Sequence, residues 1–214
     1  PVDALYGDNL LNETEAREIP ELNRSEVARI ATFNIKVFGE TKMGKPEVIN
    51  VLVDTVLQYD LVSVQEIRDL DQTVPYDFLE QINNRSNDTW DMLLSERSGQ
   101  QEDDTYQEQY AFYYNTTVFS PINGSLYNDS EYDLFQKEPY LGSFELLNAS
   151  GNNSGFNFTL ITIHTKPASA MEEINALHTV VQDYQAENPQ EPDIVILGDY
   201  NAGCSYAVSY THLR

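Results

Sequence analysis

Hydrophobic residues along the chain occur in short runs that predict strands. The runs are rich in β-branched and aromatic residues and end at turn-forming or polar residues, as expected for strands of a buried sheet. The predicted strand segments are 27–39, 60–67, 90–96, 109–119, 140–148, 156–166 and 193–201. A Gly- and Asn-rich turn at 149–155 joins the fifth segment to the sixth.

Other stretches have the spacing of amphipathic helices. The segment 46–56 begins with Pro46, a residue favoured in the first turn of a helix. Val48, Leu52 and Val56 then form one apolar stripe, which predicts a helix with a single buried face.

Two further helices are expected. One covers 73–84, and a longer one begins at Ser169, which forms the pattern of a capping box with Glu172. The apolar face of the longer helix is predicted to carry Ile174, Leu177, Val181 and Tyr184. Strands and helices alternate near both ends of the chain, and strands follow one another in the middle. This order predicts an α/β fold of mixed sheets covered by helices.

The composition supports one globular domain. The 214 residues are 41% hydrophobic and 11% aromatic, which is sufficient for a sizeable core. Residues 1–28 are polar and acidic and are predicted to form an N-terminal extension, whereas 29–214 form the domain. No apolar run approaches the length of about 20 residues that spans a membrane. We therefore expect no membrane span. We also expect the protein to be a monomer.

The charge of the chain is strongly acidic. A net charge of −23 and an isoelectric point near 4.1 oppose the binding of a polyanion, because phosphates are repelled. Bound divalent cations can reverse this repulsion locally. A solvated acidic surface remains the simpler explanation of the bulk charge.

Asn-x-Ser/Thr triplets indicate a compartment. They begin at Asn12, Asn23, Asn84, Asn87, Asn115, Asn123, Asn128, Asn148, Asn152 and Asn157. Chance would supply about two or three such triplets in a chain of this composition. The excess favours a secreted or cell-surface glycoprotein, and a chain that is merely rich in Asn and in loops is the alternative. Cys204 is the only cysteine, which excludes a disulfide within the chain.

Polar residues that can support chemistry lie at the ends of several predicted strands. They are Asn34, Glu66, His164, Asp199 and Asn201. Because residues two apart on a strand share a face, we expect Asp199 and Asn201 to point the same way. Each residue alone is also common in turns, caps or surfaces. Their repetition favours a site, since strand ends converge in layered α/β proteins.

The residue types indicate the chemistry. Glu66 and Asp199, supported by the two amides, are hard oxygen donors that suit Mg²⁺ or Mn²⁺. The sequence lacks the Cys/His spacing of a zinc site. His164 with a carboxylate partner could transfer protons near neutral pH. Hydrolysis of a phosphodiester would use these groups together.

Six stretches together resemble one known family. They are FNIKVFGETKM, LVSVQEIRD, YQEQYAFYY, KEPY, IHTKP and GDYNAGCSY. In order and approximate spacing they resemble the motifs of secreted deoxyribonuclease I, within the endonuclease/exonuclease/phosphatase superfamily. The likeness covers residues 28–206. It implies a four-layer α/β/β/α sandwich and an endonuclease that hydrolyses DNA with Mg²⁺ (or Mn²⁺) and Ca²⁺.

The resemblance also implies roles for individual residues. Glu66 matches a residue that holds the divalent metal, and Asn34, Asp199 and Asn201 match residues that line the metal and phosphate pocket. His164 matches one of two catalytic histidines. Glu108 matches the carboxylate that orients this histidine and raises its basicity.

Three residues are expected at the DNA. Arg68 and Tyr106 match residues that enter the minor groove, where Arg reads width more than base identity. A surface ion pair for Arg68 and ordinary packing for Tyr106 are the alternatives. Lys137 stands where the family usually has a phosphate-contacting Arg, so the charge remains but the bidentate grip is lost. The contacts imply little sequence specificity.

A second metal site is implied in the stretch NDSEYDLFQKEP. Asp129, Asp133 and Glu138 resemble a structural Ca²⁺ loop, although the small disulfide often found there in the family is absent. Solvated acids in a loop are the alternative interpretation.

The resemblance ends before the last motifs of the family. Family members continue beyond GDxNxxCSY and supply a second acid/base pair, whereas this chain has only Glu108 with His164. We therefore expect a fold that is incomplete at its C-terminus and a chain with little or no nuclease activity alone. His212 lacks a preceding Asp and is interpreted as incidental, and 207–214 show no family likeness.

Two other functions remain open from the sequence. A phosphoesterase acting on a phospholipid or a small phosphate ester would share the catalytic residues but would not act on DNA. A glycosylated surface or binding protein could keep the fold without catalysis, and it would not bind Mg²⁺ through Glu66.

Overall fold

The computed structural model describes residues 27–99 and 106–203. Its strands are β1 Ile30–Phe38, β2 Leu61–Ile67, β3 Trp90–Leu94, β4 Gln109–Asn115, β5 Phe119–Leu126, β6 Tyr140–Leu147, β7 Asn153–His164 and β8 Ile194–Asp199. Its helices are α1 Glu40–Met43, α2 Pro46–Val56, α3 Val74–Arg85 and α4 Ala170–Glu187, with a 3₁₀ turn at Pro167–Ser169. Each segment predicted from the sequence contains an element of the expected type.

The described strands form two four-stranded sheets. The first has the order β1-β2-β4-β3 and the second the order β5-β6-β7-β8. β1 pairs with β2 in parallel, and β7 pairs with β8 in parallel, while the other neighbours are antiparallel. Each parallel pair brings two carboxyl ends together, so that His164 lies opposite Asp199.

The residues of β4 explain why the sheets stack. All of β4 is buried, and its side chains alternate between two hydrophobic clusters. Ala111 and Tyr113 pack with residues of α2 and α3, whereas Tyr110, Phe112 and Tyr114 pack with residues of the second sheet. A strand that is apolar on both faces requires a covering layer on each side.

Helix α4 supplies the outermost layer on the second sheet. Leu177 and Val180 of α4 form one buried cluster with Ile161 and Ile163 of β7. The layers therefore follow the order helix, sheet, sheet, helix, which confirms the predicted α/β/β/α sandwich.

A buried polar network joins the two sheets next to the strand ends. The Ser63 hydroxyl donates to Thr162 Oγ1 at 2.8 Å, and Gln65 Nε2 donates to the same atom at 3.0 Å. Gln65 Oε1 accepts the Thr32 hydroxyl at 3.1 Å. Ser63, Gln65 and Thr162 are fully buried. Because Gln65 precedes Glu66 and Thr162 lies two residues before His164, the network fixes these strand ends relative to each other.

The start of α4 differs from the prediction. The Ser169 hydroxyl donates to Glu173 Oε1 at 2.9 Å, and no capping bond to the helix backbone forms, so the predicted capping box with Glu172 is wrong. Because a 3₁₀ turn precedes α4, Glu173 and not Glu172 lies next to the Ser169 hydroxyl. Glu173 is buried and also accepts the Lys166 backbone N–H at 3.2 Å.

Two other local details extend the predictions. The buried face of α2 includes Ile49 and Val53 beside Leu52 and Val56. The single strand predicted over 109–119 is divided by a turn at 116–118 into β4 and the start of β5. β5 then runs to Leu126 through Pro121 and Gly124, although these residues usually interrupt strands. As an edge strand, β5 tolerates a residue without a backbone donor.

Some predictions fall outside the described residues. The extension at 1–26, Cys204, His212 and the tail 207–214 lie there, and the domain boundary at 28/29 stays a prediction. Among the helices of the described ranges, none has the length and apolar character needed to cross a membrane.

Replacing Thr162 with Val should destabilise the fold. Val keeps the shape of Thr but removes the atom that accepts from Ser63 and Gln65. The buried Ser63 hydroxyl then loses its acceptor, whereas Gln65 Nε2 keeps its bond to Ser63 Oγ. We expect a loss of about 1–3 kcal/mol in the free energy of unfolding, measured by urea denaturation. The matched control is Thr89→Val on the exposed loop before β3. Equal unfolding midpoints for the two variants would contradict the role of the network.

Candidate active site

The side chain of Asn34 connects the two sheets at their polar edge. Its Nδ2 group donates to Glu66 Oε1 at 2.8 Å and to Asp199 Oδ2 at 2.8 Å. Asn34 and Glu66 belong to the first sheet and Asp199 to the second. One amide therefore holds two carboxylates, from different sheets, in the same place.

The amide oxygen of Asn34 is engaged on its other side. Oδ1 accepts the backbone N–H of Lys36 at 2.7 Å, which fixes the orientation of the amide. Asn34 was predicted among the metal ligands, and in this arrangement its amide nitrogen faces the two carboxylates while its oxygen faces the Lys36 N–H. The geometry gives it a positioning role, and direct ligation stays a prediction.

A left-handed turn in β1 orients Glu66. The backbone φ angles are 56° at Lys36 and 53° at Val37, and β1 shifts its register against β2 between Asn34 and Phe38. The Val37 N–H consequently donates to Glu66 Oε2 at 2.8 Å. Left-handed backbone costs about 1–3 kcal/mol at a residue other than Gly. Glu66 itself has φ 61°, so the backbone that carries this carboxylate is also in a strained conformation.

His164 and Glu108 form a buried pair. His164 Nδ1 lies 2.8 Å from Glu108 Oε2, and the backbone N–H of His164 donates to the Tyr110 hydroxyl at 3.0 Å. The other ring nitrogen, Nε2, lies 3.7 Å from Glu66 Oε1 and 4.0 Å from Asp199 Oδ2. A carboxylate at Nδ1 favours a proton on that nitrogen, and it directs Nε2 toward the two carboxylates.

Lys137 compensates part of the negative charge. Its Nζ lies 3.7 Å from Glu108 Oε1, and both side chains are nearly buried. Lys137 was predicted to contact phosphate. It lies in the wall of the cleft described below, paired with the carboxylate that orients His164.

A cleft of about 320 Å³ opens in front of these groups. Glu66, His164 and Lys137 line it, and Arg68 with Tyr106 form part of its rim. The guanidinium carbon of Arg68 lies 5.2 Å from the centre of the Tyr106 ring, a cation–π contact. Tyr106 is 58% exposed, which argues against ordinary core packing for this residue.

Asn201 reaches the site through a turn. β8 ends at Asp199 and Asn201 has φ 46°, so the expected strand alternation does not extend to it. Its backbone N–H donates to Asp199 Oδ1 at 3.1 Å, and its Nδ2 donates to the Thr165 carbonyl at 2.8 Å. The prediction that the two side chains share a strand face is therefore wrong, although Asn201 does line the cleft.

Gly198 allows β7 and β8 to meet closely beside the site. Its φ of 144° is rarely adopted by L side chains, and a Cβ atom would collide with the backbone of Ile163. Gly198 pairs with Ile163, and the next pair is His164 with Asp199. The glycine of the GDYN stretch thus sets the approach of these two side chains.

The donor set fits a magnesium-type cation. Glu66 Oε1 and Asp199 Oδ2 converge on one amide, and their mutual repulsion favours a cation between them. Within 27–99 and 106–203, no cluster of three or more His, Cys, Asp or Glu side chains is arranged to hold a metal. Mg²⁺ keeps several waters and needs only one or two carboxylates, unlike a cation in a complete protein cage.

The proposed calcium residues do not form such a cluster in the described residues either. Asp129 is buried and its Oδ2 accepts the Phe135 N–H at 3.0 Å, while Glu138 Oε2 accepts the Ser98 hydroxyl at 2.5 Å. Asp133 is exposed and has φ 50°. The calcium loop remains a prediction.

Several contributors escaped the sequence analysis. The hydroxyl of Tyr110 and the backbone amides of Lys36 and Val37 orient the functional side chains. In the sequence, Tyr110 cannot be distinguished from the other aromatic core residues of its strand. Backbone donors have no sequence signal at all. Lys42 lies in the stretch FNIKVFGETKM but had no assigned role.

Known proteins resemble the chain in sequence. A family model, the Endonuclease/Exonuclease/phosphatase family, matches residues 31–213. Deoxyribonuclease-1 of the horse (Equus caballus) is 34% identical over 185 residues, which are 85% of this chain and 63% of that protein. Human deoxyribonuclease-1 is 34% identical over 182 residues, 83% of this chain and 62% of that protein. The chain thus spans less than two thirds of the length of these relatives.

Solved structures share the architecture. The human Nocturnin catalytic domain with bound sulfate anion has a TM-score of 0.54 at 15% identity, over 86% of this chain and 67% of that one. An endonuclease/exonuclease/phosphatase family protein from Leptotrichia buccalis has a TM-score of 0.57 at 13% identity, over 87% and 72%. These likenesses concern the fold alone. The family model, which matches residues 31–213, shows that the chain belongs to the endonuclease/exonuclease/phosphatase family.

Proposed function

We propose that the protein is a divalent-metal-dependent phosphodiesterase and that its substrate is DNA, which it cleaves as an endonuclease. The observation that carries the proposal is the direction of His164: Glu108 binds Nδ1, and Nε2 faces the place where Glu66 and Asp199 meet. A proton-transfer group and a cation site thus share one cleft, as hydrolysis of a phosphodiester requires.

His164 would transfer the proton. With the Nδ1 proton held by Glu108, Nε2 can accept a proton from an attacking water, or donate one to a leaving oxygen when the ring is protonated. Burial of both side chains strengthens the interaction, because little water screens it. Tyr110 fixes the backbone of His164 and so limits movement of the ring.

Glu66 and Asp199 would hold the metal, Mg²⁺ or Mn²⁺. The Asn34 side chain and the Val37 backbone N–H keep the Glu66 oxygens in position. The backbone N–H of Asn201 does the same for Asp199. When bound, the cation supplies positive charge that stabilises the phosphate oxygens during attack. Ca²⁺ at the loop of Asp129 would have a structural role.

Three features support DNA as the substrate. Arg68 stacked with Tyr106 offers a cationic, aromatic edge beside the cleft, suited to a minor groove. Lys137 adds a positive charge in the cleft wall. The relatives in sequence are deoxyribonucleases. Since the chain is strongly acidic, the cation would be needed to admit the phosphate backbone.

The proposal concerns the whole protein, because the chain spans less than two thirds of its curated relatives. A second acid/base pair is expected from residues outside this chain. Glu108 and His164 would serve only one of the two oxygens in line with the phosphorus, either the attacking water or the leaving oxygen. We therefore propose that the 214 residues bind the metal but cleave DNA weakly.

We also propose that the protein is a secreted or cell-surface glycoprotein. In the described residues, the exposed acceptor side chains are Asn84, Asn87, Asn123, Asn128, Asn148, Asn152 and Asn157. Asn115 is the exception: it is buried, and its Nδ2 donates to Asp88 at 3.0 Å. A glycan there would remove this bond and prevent the packing of β4.

Mg²⁺ should stabilise the chain through Glu66. At a concentration 100 times its dissociation constant, a ligand that binds only the folded state adds about 2.7 kcal/mol to the free energy of unfolding. Thermal denaturation with Mg²⁺ and with a chelator measures the effect. We expect Glu66→Gln to lose most of it, while Glu80→Gln, on the exposed side of α3, retains it. The same Mg²⁺ effect in both variants would exclude Glu66 as the ligand.

Replacement of His164 with Ala should abolish nicking of supercoiled plasmid. The test uses the product of the native transcript read to its stop codon, beside the 214-residue chain. We expect a loss of about 10²–10⁴-fold in rate, and no loss in His178→Ala, whose side chain is exposed on α4. If the protein hydrolyses bis(p-nitrophenyl) phosphate but leaves the plasmid intact, it is a phosphoesterase that acts on another substrate.

Glycan mapping tests the proposed compartment. After expression in a secretory host and enzymatic deglycosylation in heavy-oxygen water, mass spectrometry should find label at exposed acceptor sites and none at Asn115 of the folded protein. Label at Asn115 would contradict its buried, bonded state, and the absence of label at every site would contradict the secretory assignment.

A further inference from the structure

Lys42 makes an unusual set of contacts next to the candidate site. It lies on the one-turn helix α1, and its Nζ donates to the Ile35 carbonyl at 2.6 Å. The same ammonium donates to the Lys36 carbonyl. Two successive backbone carbonyls of β1 thus bind one cation. The side chain is half-buried, and burial lowers the pKa of Lys42, while nearby Glu66 raises it.

The carbonyls belong to the turn that holds Glu66. The left-handed φ angles at Lys36 and Val37 direct the N–H groups of these residues to Asn34 Oδ1 and Glu66 Oε2. Val37 is β-branched, and β-branched side chains rarely occupy left-handed backbone. The turn therefore needs stabilisation from outside, and the ammonium of Lys42 binds the carbonyls of the same short stretch.

We propose that Lys42 is a positioning residue for the metal site: it holds the left-handed turn, and the turn aims Glu66 and Asn34. The importance of this role for catalysis rests on the proposed metal-dependent function, whereas the role in the turn does not. Lys42 acts through the backbone and does not itself contact the metal or the substrate.

A purely electrostatic role for Lys42 and a positioning role predict opposite effects of its removal on Mg²⁺ binding. A cation near a Mg²⁺ site repels Mg²⁺, so removal of the Lys42 charge would strengthen binding if charge alone mattered. Loss of the turn would weaken binding, because Glu66 would lose its orientation. The sign of the change separates the two mechanisms.

The first experiment measures the turn without metal. Amide hydrogen exchange, followed by NMR, reports the bond from the Val37 N–H to Glu66. We expect Lys42→Met to reduce protection of this amide about tenfold, the effect of losing one hydrogen bond. The control is Lys45→Met, which removes the same charge from an exposed side chain three residues on. Equal protection in the two variants would overturn the proposal, whatever the metal does.

The second experiment measures Mg²⁺ affinity by calorimetric titration. Lys42→Met should weaken binding about tenfold, as do substitutions that disturb the groups holding metal ligands, and Lys45→Met should not. Stronger binding in Lys42→Met would overturn the proposal in favour of simple charge repulsion. Failure of the unsubstituted chain to bind Mg²⁺ would count against the proposed function alone, because the exchange experiment still decides the role of Lys42.

If Lys42→Met folds poorly, the exchange experiment is repeated in a Val37→Gly background. Gly adopts left-handed backbone without strain, so Val37→Gly makes the turn less dependent on Lys42. In this background, Lys42→Met should fold and should change protection at position 37 by less than about threefold. A full tenfold loss in the Val37→Gly background would mean that the effect of Lys42 does not depend on the left-handed conformation of Val37. That result would overturn the proposal that Lys42 holds the turn.

Discussion

The structure depends on one amide group that joins two like charges from different sheets. Asn34 Nδ2 donates to Glu66 and to Asp199, and His164 Nε2 lies within 4.0 Å of an oxygen from each. Carboxylates do not approach each other without compensation. The amide supplies part of it, and a divalent cation would supply the rest. The chemistry proposed for this protein follows from that arrangement.

The fold provides the rigidity that the arrangement needs. Aromatic side chains of β4 fill the space between the sheets. The network of Ser63, Gln65 and Thr162 links the two sheets one to three residues before the functional side chains. Gly198 lets β8 approach β7 closely. Hydrogen bonds on both sides stabilise the strained turn in β1. Two of its carbonyls accept from Lys42, and the N–H groups of Lys36 and Val37 donate to functional side chains.

The sequence predicted the strand ends well and the turns poorly. Alternating hydrophobic residues lead up to Glu66 in β2 and to His164 in β7, so the pattern of the strands located these two residues. The turn at Val37 was hidden, because its residues look like a regular strand and the left-handed backbone is stabilised from elsewhere. Asn201 was misplaced for the same reason. Glu108, which has no local signal, was assigned only through the family resemblance.

The most direct test of a shared cation site is a crystal structure of the chain soaked with Mn²⁺. An anomalous difference map locates the ion without assumptions about its ligands. The arrangement around Asn34 predicts one strong peak about 2.0–2.2 Å from an oxygen of Glu66 and from an oxygen of Asp199, with His164 Nε2 facing it. A peak bound to only one of these carboxylates, or located elsewhere, would contradict the site.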